Sequence, residues 1–100
     1  MNIVQVKGGK VELKTDRGSL VRYIVSSGAV FADINADQSR ILVTTANGKV
    51  ELRTDSGSLV RAIVSSGAVQ ARFSGKDILI TTNKGKTELR TETGSLIRTL

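Results

Sequence analysis

The sequence predicts an all-β fold built from antiparallel, four-stranded repeats, and three observations lead to this prediction. One segment occurs three times: it begins as GKVELKTDRGSLVRYIVSSGAV at Gly9, as GKVELRTDSGSLVRAIVSSGAV at Gly48 and as GKTELRTETGSLIRTL at Gly85. The stretches between the glycines are short and rich in β-branched residues, which favour strands over helices. Ten Gly and no Pro suit a chain with many tight turns.

Each repeat contains four predicted strands. The first pair reads AVFADI and ILVTT in one copy and AVQARF and ILITT in the next, and the second pair reads KVELRT and SLVRAIV. Between the two pairs, Asn47-Gly48 indicates a hairpin, because both residue types accept a positive φ. The strands of the first pair are predicted at Ala29–Ile34 and Ile41–Thr45 in one copy, and at Ala68–Phe73 and Ile78–Thr82 in the next.

The repeats divide the chain into units of approximately 1–28, 29–67 and 68–100. The segment NIVQV at residues 2–6 matches the second strand of a repeat, so the first unit lacks its first strand and eleven strands are expected. ADINADQSRILVTT in one copy corresponds to ARFSGKDILITT in the next. This two-residue difference in length predicts a surface loop between the first and second strands.

The turn between the third and fourth strands is predicted as a three-residue loop, Asp55-Ser56-Gly57, with Gly57 in the left-handed conformation. Continued regularly, this register places Glu51 opposite Arg61. It therefore predicts one cross-strand ion pair per repeat, each contributing about 0.2–1 kcal/mol. The predicted pairs are Glu12–Arg22, Glu51–Arg61 and Glu88–Arg98.

Four antiparallel strands per repeat of about 40 residues correspond to one blade of a β-propeller. In this chain V-x-L leads to a Gly-containing turn, an outer strand ending in Ile, and then the next inner strand. Over essentially its whole length this pattern resembles the YVTN-type and WD-repeat propellers. The Trp-Asp and Gly-His pairs of WD repeats are absent, Leu52-Arg53 stands near the Trp-Asp position, and Thr45 replaces the Asn of the YVTN signature. The resemblance therefore implies an architecture and transfers no functional residues.

Eleven strands make just under three blades, whereas propellers typically have about 4–8. An open arc would expose apolar faces and unpaired strand edges. We therefore expect self-association into a closed ring, with a dimer favoured and a trimer as the second choice. The alternative fold is a self-contained barrel or sandwich of eleven strands.

Catalysis is not expected, because the chain has no His and no Cys. Asp33, Asn35 and Asp37 have the alternating spacing of a calcium loop, but the Gly at its sixth position is missing and Thr44 replaces its acidic twelfth ligand. A polar loop is the favoured interpretation, and no metal or cofactor is expected. The two Ser-Ser-Gly segments are interpreted as crossover turns rather than sites of a nucleophilic Ser, which would need a base.

The chain has 15 Lys and Arg against 9 Asp and Glu, a net charge of +6. Repeated cations could form a basic ring that binds a polyanion. Only three aromatic residues are available for base stacking, which weakens the case for nucleic acid. The positions of this possible ring are Lys10, Lys49 and Lys86 together with Lys14, Arg53 and Arg90.

The predicted inner strands differ most between copies, and in a propeller they line the central channel. Asp33, Gln70 and Arg72 are therefore the first candidates for channel-lining residues.

The function favoured by the sequence is a non-enzymatic structural or interaction module that contacts other copies or a protein partner. The alternatives are binding of a small molecule or glycan, in pockets between blades or in the central channel, and binding of a polyanion. No signal peptide and no apolar run of about 20 residues is visible, so a soluble, cytoplasmic chain without a membrane partner is the default expectation.

Overall fold

The computed structural model describes residues 1–100, which form eleven β-strands and no helix. No segment is therefore a helix long and apolar enough to cross a membrane. The strands are β1 (Asn2–Lys7), β2 (Lys10–Thr15), β3 (Leu20–Val25), β4 (Ala29–Ile34), β5 (Arg40–Thr45), β6 (Val50–Thr54), β7 (Leu59–Val64), β8 (Ala68–Ser74), β9 (Asp77–Thr82), β10 (Thr87–Arg90) and β11 (Leu96–Thr99).

Strand pairing divides the chain into three antiparallel sheets. Sheet 1 has the order β1-β2-β3, sheet 2 the order β4-β5-β6-β7, and sheet 3 the order β8-β9-β10-β11. The predicted all-β repeat fold, with eleven strands and a three-stranded first unit, is confirmed. The sheets are separate, which does not fit the alternative of a single closed barrel. The two-residue length difference falls at the loops after β4 and β8: residues 35–39 form the first loop and residues 75–76 the second, and β8 is one residue longer than β4.

The apolar core lies between successive sheets, in two clusters. Because successive side chains of a strand point to opposite faces, sheet 2, the middle sheet, buries residues on both of its faces. Sheets 1 and 2 enclose Val11, Leu13, Ile24, Ala29, Ile41 and Val43. Sheets 2 and 3 enclose Leu42, Val50, Leu52, Ile63, Ala68, Ala71, Ile78 and Ile80.

The hairpin turns before and after β6 each use a glycine in the left-handed region, whereas the loop between β4 and β5 has Gln38 there, with φ of 63°. In the turn between β6 and β7, Gly57 has φ of 96°, its N–H donates to Thr54 O at 3.0 Å, and Thr54 N–H donates to Ser58 O at 2.9 Å. The predicted three-residue loop is thus confirmed. The turn after β5 has the same pattern around Gly48, with φ of 84°, and there Asn47 does not adopt a positive φ.

The register between β6 and β7, beyond the Gly57 turn, differs from the prediction by one residue. Arg53 lies opposite Leu59, but Leu52 lies opposite Arg61, so Val60 is an extra residue in β7. This β-bulge moves Glu51 opposite Ala62, and a second shift makes Ile63 an extra residue. The first bulge recurs at the corresponding place in β3 and β11. The predicted register was wrong because it assumed an unbroken ladder.

Candidate functional site

At each of the two internal junctions, a glycine-containing hairpin turn of the preceding sheet packs on the Ser-Ser-Gly crossover to the next sheet. Between sheets 2 and 3, Ala68 N–H donates to Gly48 O at 3.0 Å, and a Cβ on Gly48 would lie 2.5 Å from Gly67 N. Between sheets 1 and 2, the bond from Ala29 N–H to Gly9 O is 2.9 Å long. These glycines therefore serve close packing as well as turn geometry.

A second glycine turn makes contact from the opposite side of each junction. A Cβ on Gly94 would lie 3.1 Å from Ile63 O, and one on Gly57 would lie 3.3 Å from Ile24 O. The Gly57 turn of sheet 2 and the Gly94 turn of sheet 3 thus lie against the bulged outer strand of the preceding sheet. Ile24 and Ile63 carry the side chains that this arrangement buries.

At the two ends of the arc the same positions are uncovered. A Cβ on Gly18 or Gly85 would meet no atom within 4 Å. Leu100 occupies the repeat position of Ile24 and Ile63, yet it is 68% exposed whereas each isoleucine is 6% exposed. The arc therefore ends in two faces that match the partners in its own internal junctions.

Each internal junction also contains a polar cleft beside the crossover. The cleft between sheets 2 and 3 has a volume of about 910 Å³, and the one between sheets 1 and 2 about 490 Å³. The larger cleft is lined by the crossover serines Ser65 and Ser66. Charged residues of sheet 3 also line it, namely Lys84, Lys86, Glu88 and Arg90.

The predicted cross-strand ion pairs are not formed. Glu51 pairs within its own strand with Arg53, whose Nη2 lies 2.9 Å from Glu51 Oε1, and Arg53 Nη1 also donates to Gly57 O at 2.7 Å. In the other sheets Glu12 pairs with Lys14 and Glu88 pairs with Arg90. Alternate residues of one strand share a face, and the bulge shifts the register of the neighbouring strand. The three arginines that were predicted as cross-strand partners take no part in these pairs; they are Arg22, Arg61 and Arg98.

The six candidate basic positions divide into two groups. Lys14, Arg53 and Arg90 are engaged by carboxylates of their own strands, so their charge is largely neutralised. The other group is mixed: Lys49 is also paired, with its Nζ 3.3 Å from Glu51 Oε2, whereas Lys10 lies 5.3 Å from the centre of the Tyr23 ring and Lys86 has no carboxylate within 4.0 Å. The structure thus distinguishes cations that the repeat pattern treats as equivalent.

The three candidate channel residues lie on inner strands β4 and β8. Asp33 Oδ2 accepts a hydrogen bond of 2.8 Å from Phe73 N–H, which joins the inner strands of sheets 2 and 3. With its amide oxygen facing the guanidinium, Gln70 accepts from Arg72 Nε at 3.0 Å. Asp33 thus has a visible structural role, which its position in the sequence did not indicate.

The loop with calcium-like spacing is closed by its own hydrogen bonds. Asp37 accepts from the hydroxyl and the N–H of Ser39, and Asn35 Oδ1 accepts from Arg40 N–H at 3.0 Å. The bonds from Ser39 are the main cause that lowers the pKa of the exposed Asp37 carboxyl. No group of three or more His, Cys, Asp and Glu is arranged to hold a metal ion.

One surface was missed by the sequence reasoning: an exposed apolar band on the outer strands. Two neighbouring residues of each outer strand are 38–51% exposed, and the signal for them was the repeated S-L-V/I-R segment. The band consists of Leu20, Val21, Leu59, Val60, Leu96 and Ile97.

The comparisons with known proteins agree with this architecture. BamB from Moraxella catarrhalis superposes with a TM-score of 0.75 at 17% identity, covering 98% of this chain and 32% of that one. The WD40 β-propeller domain of Doa1 matches with a TM-score of 0.70 at 15% identity, covering 97% of this chain and 38% of that one. For the C-terminal WD40 domain of Sif2 the TM-score is 0.70 at 17% identity, covering 97% of this chain and 30% of that one. No family model and no curated protein matches the sequence.

Taken with the three sheets and their packed junctions, these similarities identify the chain as an arc of a β-propeller, whose blades resemble those of WD-repeat proteins. The chain spans about a third of the length of each of these structures.

Proposed function

We propose that this chain is a non-enzymatic interaction module that closes a propeller ring by head-to-tail contact with a second copy. The observation that carries the proposal is the contrast between Leu100, which is 68% exposed, and Ile63, which is 6% exposed at the same repeat position. We call the face of a sheet that packs on the preceding sheet its leading face, and the face that packs on the following sheet its trailing face. Ile63 is buried by the leading face of sheet 3. Sheet 1 is the only sheet of the chain whose leading face is free.

The internal junctions indicate how such a contact would form. The trailing face of sheet 3 carries Leu79, Leu89 and Leu100, which correspond to Leu42, Leu52 and Ile63 of sheet 2. Gly18 corresponds to Gly94, on which an added Cβ would lie 3.1 Å from Ile63 O. A second copy could therefore place its Gly18 turn against Leu100 as Gly94 is placed against Ile63.

The number of blades favours two copies. With three sheets in each chain, two chains supply six blades, within the range of about 4–8 that propellers use, whereas three chains supply nine. A head-to-tail contact joins different surfaces of the two copies, and it gives a finite assembly only when the rotation closes.

The oligomeric mass tests this proposal. Light scattering over a range of concentrations is expected to give twice the 10.7 kDa chain mass. Leu100→Lys places a charge in the proposed contact and should shift the protein toward monomer. Leu59→Lys, an exposed leucine on the outer strand of sheet 2, should leave the dimer unchanged. A monomer at every concentration would contradict the proposal, and loss of the dimer only in the Leu59 variant would place the contact on the outer band.

A second candidate function is binding of an anionic ligand in the larger cleft. The observation that favours it is that Lys84 and Lys86 line this cleft with no carboxylate within 4.0 Å, whereas Glu88 is already paired with Arg90. Inorganic polyphosphate is a suitable probe. Its affinity should fall as salt is added, and it should fall in Lys86→Ala but not in Lys76→Ala, which lies outside the cleft. An affinity independent of salt would count against this function.

A further inference from the structure

The innermost strand of sheet 1 has one hydrogen-bonded neighbour where its counterparts have two. β5 lies between β4 and β6, and β9 lies between β8 and β10, but β1 pairs only with β2. One edge of β1 therefore has no strand beside it. In sheets 2 and 3 the corresponding edge is covered by the inner strand.

The hydrogen bonds at the start of the chain show which residues face this open edge. Met1 O accepts from Asp16 N–H on the side of β2, whereas Asn2 N–H donates to Gln38 Oε1 on the other side. Peptide groups of an antiparallel strand alternate between its two edges. Val4 and Val6 therefore direct their N–H and C=O groups to the open edge, beyond the end that Gln38 caps.

Sheet 2 shows what occupies this edge when it is filled. Val4 lies opposite Leu13 in sheet 1, as Leu42 lies opposite Leu52 in sheet 2. On its other side Leu42 lies opposite Asp33 of the inner strand β4, and Thr44, two residues on, lies opposite Phe31.

Sheet 3 repeats the arrangement with other side chains. There Arg72 and Gln70 of β8 lie opposite Leu79 and Thr81. One paired position of the inner strand is Asp in sheet 2 and Arg in sheet 3, and the other is Phe in sheet 2 and Gln in sheet 3. Because the side chains differ, the contact that recurs is made by the main chain. The shared requirement is the pattern Ala-Val-x-Ala-x, in which Ala71 is completely buried.

The outer strands also have an unpaired edge, but it is less suited to accept a strand. Each of β3, β7 and β11 contains at least one register shift against its neighbour and carries an exposed Arg, two features that protect sheet edges from pairing. The pairing of β1 with β2 is regular from Asn2 to Lys7. A regular strand presents its peptide groups in line, as an added strand requires.

We propose that the open edge of β1 binds an extended segment of a partner protein by β-augmentation. The segment has the inner-strand pattern Ala-Val-x-Ala-x, with no Pro at the two x positions, because their N–H groups pair with Val4 and Val6. An occupant with this pattern is favoured because β4 and β8, which carry it, cover the same edge of the two neighbouring sheets.

The chain's own sequence supplies the probe. A labelled peptide with the sequence of residues 65–74, SSGAVQARFS, is added to the full chain and its binding is measured by fluorescence anisotropy. The control peptide is N-methylated at the residues equivalent to Gln70 and Arg72, so it keeps every side chain and loses two donors. The control should bind at least about tenfold more weakly.

Amide hydrogen exchange locates the bound peptide. Exchange of the Val4 and Val6 amides should slow by at least about tenfold at saturating peptide. Val4→Pro should lose binding while β1 remains paired with β2, because proline is tolerated where the N–H faces away from the ladder. If this variant fails to fold, the N-methylated peptide still tests the inference with the unchanged protein.

Equal binding of the two peptides would overturn the inference, and so would protection confined to β3, β7 or β11. The peptide site lies within one chain, so this test is independent of ring closure. A monomer that binds the peptide would contradict only the proposed self-association, whereas a dimer that ignores the peptide would contradict only the strand-binding edge.

Discussion

The junction between sheets 2 and 3 and the free face of sheet 3 have related residues in different surroundings. Ile63 and Gly48 are covered at the junction, whereas Leu100 and Gly85, at the same repeat positions, face open space. A repeated residue therefore has two separate properties, its local backbone geometry and its contribution to stability. A repeated residue has the same local geometry in every copy, but its contribution to stability depends on whether a neighbouring sheet covers it.

The largest expected difference is between two glycine turns. Gly48→Ala adds a Cβ 2.5 Å from Gly67 N at a positive φ, whereas Gly85→Ala adds one with no atom within 4 Å at a similar φ. The strained φ should cost about 1–2 kcal/mol in both, and the clash a further ~1–3 kcal/mol in Gly48→Ala alone. Urea denaturation measures both free energies of unfolding, and equal losses would show that the Gly48 turn is not packed on the crossover.

The buried and exposed apolar residues should differ nearly as much. Ile63→Ala removes side-chain volume from the cluster between sheets 2 and 3 and should cost about 2–5 kcal/mol. Leu100→Ala, measured on the monomer at low concentration, should change stability by less than about 0.5 kcal/mol. A large loss in the second variant would mean that Leu100 is already covered in solution.

A smaller effect tests the corrected ion pairs. Arg53→Ala removes contacts with Glu51 and with the Gly57 carbonyl oxygen at the junction, and should cost about 1–2 kcal/mol. Arg61→Ala, on the exposed outer strand, should cost less than about 0.5 kcal/mol. Thermal unfolding of both variants distinguishes the observed pairing from the cross-strand pairing, in which the two losses would be similar.

The smallest expected effect is a gain in stability. The Thr44 hydroxyl is buried without a hydrogen-bond partner, and Val6 of sheet 1 occupies the corresponding place. Thr44→Val should therefore stabilise the fold by about 1 kcal/mol. Thr45→Val is the matched control and should destabilise it, because the Thr45 hydroxyl accepts from Lys49 N–H at 3.2 Å. Loss of stability in Thr44→Val would indicate that its hydroxyl has a partner.

Much of the fold could be predicted because its signals are local. The β-branched content of the strand segments and the Gly57 turn each depend on a few neighbouring residues, and the strands and the turn predicted from them are present in the structure. The candidate sites were less predictable. Asp33 bonds to Phe73 from 40 residues away, and the cleft beside Ser65 is formed by two sheets, so neither feature is visible in one repeat.

The sequence by itself determined the number of strands, their bounds to within about a residue, and the grouping into repeats, because β-branched strand segments and glycine turns are properties of short segments. Only the tertiary structure decided the register of the outer strands, the partners of Glu51 and the packing role of the glycines. These depend on the bulges at Val60 and Ile63, and Ile63 is buried against the next sheet. That packing is a contact between repeats, and no pattern within one repeat specifies it.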